Sequence, residues 1–174
     1  MPAVLRCPVL VCGPRGGAGK TSLVRRLAEG VFAPSIRPTV GVDFGVLPVT
    51  LEDGRAARLD IFDLSGAAVF ADVRAELWRD ARVLVLVFDA ASAAGVDALD
   101  EVLAEARAGG VPATAPLVVV GAKIDISNAG ASRGARAAWA AAHGAPLVET
   151  SALSGEGVED VRAALVRAVA SIFV

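Results

Sequence analysis

A glycine-rich stretch that ends in Gly-Lys-Thr carries the clearest chemistry in this sequence of 174 residues. From Val9 to Ser22 it reads VLVCGPRGGAGKTS, an apolar run followed directly by a glycine-rich loop. Backbone N–H groups of such a loop point into one concavity, and the N-terminal dipole of the following helix attracts the same anion. Lys20 would reach the outer phosphates of a nucleotide, and the Thr21 hydroxyl would bind Mg²⁺. We therefore predict a phosphate-binding loop, the alternative being a glycine-rich turn between a strand and a helix.

One residue of this loop departs from the usual spacing. The pattern places a glycine five residues before Gly19, where this chain has Pro14, and Gly13 stands one place too early. Proline fixes the backbone φ angle and removes an N–H donor. Two readings follow: Pro14 takes the place of the first glycine, or the loop carries one extra residue.

Three more residues have types that suit the same chemistry. Asp63 closes a predicted strand, LDIFD, and its carboxylate could hold Mg²⁺ opposite Thr21. Thr39 lies in a proline-flanked loop, and its hydroxyl could join the metal when a third phosphate is present. Gly66 could donate its backbone N–H to that phosphate. Taken alone, Asp63 could equally be a strand-end aspartate in a turn, and Thr39 an ordinary loop residue.

The elements that must position these residues alternate between strands and helices. Apolar runs and helical spacing predict the order β-α-β-β-α-β-α-β-α-β-α, including a strand over Leu5–Cys12 and a helix over Lys20–Glu29. This order indicates an α/β fold with a six-stranded, mostly parallel sheet and helices on both faces. A hairpin turn at Glu52-Asp53-Gly54 predicts one antiparallel edge strand. Loops that follow parallel strands open on one edge, where ligands bind.

Composition narrows the classes of function. A net charge of −2 argues against nucleic acid as a partner. The longest strongly apolar run, from Val83 to Phe88, is too short to span a bilayer. Cys7 and Cys12 fall on one predicted strand and give no disulfide framework, so a reducing, cytoplasmic location is expected. Among 17 basic residues only two, at positions 20 and 123, are lysine, which suggests that arginine would not serve there.

Five pieces in order, GxxGKT, PTVGVDF, LDIFDLSG, AKID and ETSA, resemble the motifs of the Ras-superfamily small GTPases, and Rab proteins most. The resemblance runs from Leu5 to Ile172. The stretches FDLSG, VRAELWRD and VDALDEVL look closest to the Rab-like RJL group, some members of which carry a C-terminal DnaJ domain. The resemblance implies a P-loop small-GTPase fold, a single domain over residues 1–174, and a switch that binds GDP and GTP with Mg²⁺.

The resemblance assigns a role to each position that matches a family motif. The positions that would bind phosphate are Arg15, Gly16, Gly17, Ala18, Gly19, Lys20, Thr21 and Gly66. The positions that would form the guanine pocket are Phe32, Lys123, Asp125, Ser151, Ala152 and Leu153. The positions that would bind Mg²⁺ are Thr21, Thr39 and Asp63, the last through water. Asp125 would accept hydrogen bonds from guanine, and this contact would make the site select GTP over ATP.

Besides Pro14, two positions depart from the family's pattern. Ala67 stands where the family has the glutamine that positions water, so no catalytic residue is assigned and intrinsic hydrolysis is expected to be very weak or absent. A group of that kind supplies on the order of a few kcal/mol of barrier reduction. Ala122 stands where the family has asparagine or threonine, and the lost hydrogen bond costs roughly 1–3 kcal/mol of nucleotide affinity.

The resemblance also implies partners and a location. Effectors and regulators would bind the segments from Thr39 to Phe44 and from Leu64 to Val73. A C-terminus without cysteine and Pro2 after the initiator methionine predict no lipid anchor in this chain, and a monomer is expected. A ciliary or basal-body location would rest on the resemblance alone. The alternatives are a nucleotide-insensitive pseudo-GTPase scaffold and a P-loop ATPase or kinase; the guanine pocket argues against the second.

Overall fold

The computed structural model describes residues 4–126 and 132–173. The strands in these ranges are β1 (Leu5–Cys12), β2 (Val42–Thr50), β3 (Ala56–Leu64), β4 (Val83–Asp89), β5 (Leu117–Ala122) and β6 (Leu147–Thr150). The α-helices in the same ranges are α1 (Lys20–Glu29), α2 (Ala71–Leu77), α3 (Leu99–Ala108), α4 (Arg133–Ala142) and α5 (Val158–Ala170). Strands and helices alternate in the predicted order, and the predicted bounds of β1 and α1 agree with the structure.

The strands form one sheet in the order β2-β3-β1-β4-β5-β6. Only the edge strand β2 runs antiparallel to its neighbour within the described residues, with Val42 opposite Leu64 and Thr50 opposite Ala56. The hairpin closes where the Leu51 N–H donates to the Arg55 carbonyl at 2.9 Å. The other neighbouring pairs are parallel. The predicted sheet, mostly parallel with one antiparallel edge strand, is confirmed.

Helices cover both faces of the sheet because side chains alternate along its strands. In β4, the residues at 83, 85 and 87 pack into a core with α1 and α5, including Leu23 and Leu165. The residues at 84, 86 and 88 pack on the opposite face with Trp78, Leu99 and Ala140. Within residues 4–126 and 132–173, no helix combines the length and the apolar content that crossing a bilayer requires.

The loops that carry the candidate site leave the sheet at one edge. In the parallel register, Val11 of β1 lies opposite Asp63 of β3, and Ala122 of β5 lies opposite Thr150 of β6. The loops after β1, β3, β5 and β6 therefore start at similar heights on neighbouring strands. This placement brings segments that are far apart in sequence to the carboxyl ends of the strands, where ligands bind in sheets of this kind.

Gly157 fixes how α5 begins beside β6, and its replacement is predicted to destabilise the fold. Gly157 has a φ of +71°, and a Cβ there would collide with the Glu149 carbonyl. Gly157→Ala should lower the free energy of unfolding by about 2–4 kcal/mol, from backbone strain and overpacking together. Gly144 is the matched control, because its φ is +63° but no described atom lies within 4 Å of the added Cβ.

Gly144→Ala should cost only about 1 kcal/mol, since backbone strain alone remains. Urea unfolding of both variants measures the difference. Equal losses of unfolding free energy in the two variants would show that the close packing of Gly157 against Glu149 does not contribute to the cost of its substitution.

Candidate functional site

The loop between β1 and α1 is built around glycines. Gly13 is buried, and a Cβ there would collide with the Val87 carbonyl, so the chain passes β4 where only glycine fits. Gly16, Gly17 and Gly19 have φ values of +90°, +81° and +94°, a conformation that glycine adopts without strain. Gly13 therefore provides the close backbone approach at the start of the loop, directly before the unexpected proline.

Lys20 lies half-buried at the first turn of α1. Its Nζ donates to the Pro14 carbonyl at 3.3 Å, which is a long hydrogen bond to a neutral acceptor. Burial lowers the pKa of Lys20 below its ordinary value, and the nearby Asp63 carboxylate opposes that shift. A partly desolvated ammonium beside a glycine-rich loop and a helix N-terminus is suited to an anionic ligand.

A cluster of three oxygen-bearing side chains joins α1, the loop before β2, and β3. The Thr21 hydroxyl donates to Asp63 Oδ2 at 2.5 Å, and the Thr39 hydroxyl lies 3.0 Å from that of Thr21. Thr39 Oγ1 also lies 3.3 Å from Asp63 Oδ2. The sequence-predicted metal residues are thus in direct contact, although 42 positions separate Thr21 from Asp63 along the chain.

Asp63 is the member of this cluster whose charge is least well compensated. Its side chain is buried, and its Oδ1 atom has no hydrogen-bond partner among the described residues. Burial raises the pKa of Asp63 above its usual range, while the Thr21 hydroxyl and the Lys20 charge act in the other direction. A buried carboxylate oxygen without a partner, next to two hydroxyls, is the donor set that a hard cation such as Mg²⁺ prefers. These residues therefore fit the ion.

Further ligands for a cation would have to come from outside this cluster. In residues 4–126 and 132–173, no group of three or more histidine, cysteine, aspartate or glutamate side chains could hold a metal ion. Phosphate oxygens and water molecules complete the coordination of Mg²⁺ in many nucleotide sites, since the ion gives up its water reluctantly. The cluster at Asp63 is suited to that arrangement.

The segment after β3 packs directly on the loop between β1 and α1, which is the predicted phosphate-binding loop. A Cβ on Gly66 would lie 3.1 Å from the carbonyl oxygens of both Gly13 and Pro14, so a side chain there would press on the loop. Ala67 follows, half-buried, with its N–H directed to the Ser65 hydroxyl at 3.3 Å. The alanine side chain is a methyl group and has no atom that could orient a water molecule.

Lys123 connects this loop with the segment after β5. It is the one non-glycine residue with a positive φ, +65°, in the described ranges. Its Cε and Cγ lie 3.8 and 3.9 Å from where a Cβ on Gly19 would stand, so its stem lies along the phosphate-binding loop. Its Nζ donates to Asp89 Oδ2 at 2.7 Å. The sequence analysis missed Asp89, although its position at the end of β4, on the same edge, could have indicated it.

The remaining predicted residues lie on the surrounding loops. Ser151 is fully buried, and its hydroxyl accepts a hydrogen bond from the Ser154 N–H at 3.2 Å, which shapes the loop after β6. Phe32 and Ala152 are partly buried. The exposed residues among the predicted set are Arg15, Gly16, Gly17, Asp125 and Leu153.

Arg74 is a second residue that the sequence analysis missed. Its side chain is buried in α2, and its Nη1 donates to the Ser65 and Ala67 carbonyls at 2.8 Å each. Its Nε donates to Glu105 Oε1 of α3 at 2.7 Å. The sequence pattern of a short helix gives no sign that one of its arginines turns inward.

Comparison with known proteins identifies the family. The Ras family model matches residues 9–171. DnaJ homolog subfamily C member 27 of Gallus gallus is 33% identical over 162 residues, which is 90% of this chain and 59% of the relative. The protein of that name in Homo sapiens is 33% identical over 164 residues, with the same coverage of 90% and 59%. DnaJ homolog subfamily C member 27-A of Xenopus laevis is 30% identical over 173 residues, or 97% and 63%. The chain therefore belongs to the Ras family.

Family membership confirms the resemblance drawn from the motifs, including its link to proteins named for DnaJ. It makes this chain a domain of the small-GTPase type. The chain spans about six-tenths of the length of the curated relatives it matches, 59% for the Gallus gallus protein.

Restoring the family's asparagine at Ala122 is predicted to strengthen nucleotide binding. The Ala122 Cβ lies 3.1 Å from where a Cβ on Gly19 would stand, so an amide at this position can reach the phosphate-binding loop. Ala122→Asn should lower the Kd for GDP by about 10- to 100-fold, as expected if one hydrogen bond worth roughly 1–3 kcal/mol braces this loop on the nucleotide. Calorimetric titration with GDP measures it.

Ala122→Leu is the matched control because leucine has nearly the shape of asparagine but no amide. It should bind GDP no more tightly than the wild type. If the two substitutions change the Kd equally, the missing amide at position 122 is not what limits affinity.

Proposed function

We propose that this chain is a guanine-nucleotide-binding switch whose intrinsic GTP hydrolysis is very weak or absent. One observation supports this most: the side chains of Thr21, Thr39 and Asp63 meet at the phosphate-binding loop, while Ala67 occupies the position of the catalytic glutamine. The parts that sense a nucleotide are present, and the part that positions water is missing. Exchange of nucleotide and capture of a partner, more than turnover, would carry the signal.

Each residue at the phosphate end has a definite task in this proposal. Lys20 would bind the outer phosphates, which would compensate its buried charge. Mg²⁺ held by Thr21, by Thr39 and, through water, by Asp63 would neutralise phosphate charge. Because Thr39 belongs to the loop before β2, its contact with the metal would order that loop only in the GTP state. Loss of the third phosphate would release it.

The base end accounts for the choice of guanine. Asp125 would accept hydrogen bonds from the two guanine N–H donors, which adenine lacks, so ATP would leave the carboxylate unpaired. The stem of Lys123 would lie along the base and sugar, continuing its packing beside Gly19. Phe32, Ser151, Ala152 and Leu153 would complete the pocket.

Exposed apolar side chains support the proposed partner surface. Val40 and Val69 are each 80% exposed, and Phe44 is 52% exposed. These residues lie in the two segments, from Thr39 to Phe44 and from Leu64 to Val73, which contact each other where the Ser65 N–H donates to the Gly41 carbonyl at 2.9 Å. Large exposed apolar side chains that cluster mark protein-interaction surfaces. A partner that binds both segments would therefore detect the nucleotide state.

Ala67→Gln is predicted to raise the intrinsic rate of GTP hydrolysis. A carboxamide at this position could orient water and stabilise developing charge, for which a gain of about 100-fold is typical of one such group. Ala68→Gln is the matched control, because the same amide one residue further along should leave the rate unchanged. Single-turnover hydrolysis of bound GTP measures both variants. A wild-type rate equal to that of ordinary Rab proteins would contradict the assigned role of Ala67.

Asp63→Asn is predicted to remove most of the effect of Mg²⁺ on GDP binding, because the amide is neutral and a poor metal ligand. Because Asp63 would hold the metal through water, the loss in Mg²⁺ affinity should be the 10- to 100-fold, roughly, that follows removal of a charged outer partner, measured by titrating Mg²⁺ into the GDP complex. Asp60→Asn is the control: Asp60 is buried in the same strand but pairs with Arg6 and Arg58 at 2.8 and 2.7 Å. That variant should lose stability and keep its response to Mg²⁺. Equal Mg²⁺ responses in both variants would show that Asp63 does not hold the metal.

A further inference from the structure

Arg74 holds the segment after β3 through two hydrogen bonds to its backbone, and a third hydrogen bond joins Arg74 to α3. Nη1 donates to the Ser65 and Ala67 carbonyls at 2.8 Å each, and Nε donates to Glu105 at 2.7 Å. Only 7% of Arg74 is exposed. A charge taken out of water costs free energy unless it is paired and hydrogen-bonded. These three hydrogen bonds therefore fix the position of the Arg74 guanidinium.

The two carbonyls that Arg74 binds lie on either side of Gly66. The Ser65 carbonyl and the Gly66 N–H belong to one peptide unit, which is planar and trans. In such a unit the C=O and the N–H point in opposite directions. Holding the Ser65 oxygen therefore sets the direction in which the Gly66 N–H points, away from the guanidinium.

Gly66 also faces the phosphate-binding loop closely, since a Cβ there would lie 3.1 Å from the carbonyl oxygens of Gly13 and Pro14. The peptide thus lies between that loop, which its Cα faces, and Arg74, which binds the Ser65 and Ala67 oxygens. Glu105, on α3, holds the guanidinium in turn, and its side chain is 42% exposed. This contact links α3 to the backbone at Gly66.

We propose that Arg74 is a positioning residue for the third phosphate of GTP, directing the Gly66 N–H toward it, with Glu105 of α3 fixing the guanidinium. The inference rests on the proposed function, in which Gly66 contacts that phosphate. GDP has no third phosphate, so Arg74 acts on GTP affinity and leaves GDP affinity unchanged. Arg74 thereby sets the ratio of the two affinities, which decides how much of the chain is in the GTP state.

The test compares the Kd values of GDP and of a non-hydrolysable GTP analogue, both with Mg²⁺, for the wild type and for Arg74→Met. The variant should weaken analogue binding about tenfold and leave GDP binding unchanged, as expected for one misdirected hydrogen bond to a charged ligand. The analogue affinity of Arg74→Lys should lie between those of the wild type and of Arg74→Met, because the compact ammonium of lysine cannot contact both carbonyls and Glu105 at once. Arg107→Met is the matched control, since Arg107 also donates to two backbone carbonyls, of Val111 and Pro112, away from this loop.

The outcomes separate the two claims. Equal weakening of both nucleotides in Arg74→Met, or an unchanged ratio, overturns the role of Arg74. If the wild type binds neither nucleotide, the proposed function itself fails. If Arg74→Met does not fold, Glu105→Gln replaces it: it keeps an acceptor for Nε but loses the charge, and it should lower analogue affinity about threefold at unchanged GDP affinity. The proposal is also overturned if the ratio of analogue to GDP affinity is unchanged in Glu105→Gln or in Arg74→Lys.

Discussion

The buried carboxylate of Asp63 is the constraint on which the rest of the site depends. One of its oxygens is bonded to the hydroxyls of Thr21 and Thr39, and the other has no partner in the described part of the chain. Such a group is stable only if the surrounding elements hold it, or if a cation compensates it. The start of α1, the end of β3 and the loop before β2 converge on this one side chain. Their relative placement follows from the sheet register, which sets Asp63 beside Val11 at the head of the phosphate-binding loop.

Close backbone contacts divide the site into a fixed part and a responsive part. Gly13 packs on β4 and Gly66 packs on the phosphate-binding loop, in each case where a side chain would collide or press. These contacts fix the loop against the sheet. The segment around Thr39 is held instead by hydrogen bonds to the side chains of Thr21 and Asp63. A small difference in ligand can therefore change that segment without disturbing the core, as a nucleotide switch requires.

The sequence predicted those features that depend on local pattern or on a motif. The bounds of α1 follow from helical spacing and the glycine after Glu29, and the antiparallel edge follows from the hairpin signal near Gly54. The meeting of Thr21 with Asp63 was predictable because loops after parallel strands share an edge. The Arg74–Glu105 and Lys123–Asp89 pairs were not, since they join positions 31 and 34 residues apart through side-chain packing that no local pattern encodes.

One measurement tests the central claim most directly: calorimetric titration of the wild-type chain with GDP and a non-hydrolysable GTP analogue, each with and without Mg²⁺, and with ATP as competitor. If Thr21, Thr39 and Asp63 form a nucleotide switch, both guanine nucleotides should bind. Mg²⁺ should strengthen the binding of the analogue more than that of GDP, because Thr39 contacts the metal only beside a third phosphate. ATP should not compete. Equal Mg²⁺ effects on the two nucleotides, displacement by ATP, or no binding at all would contradict the account.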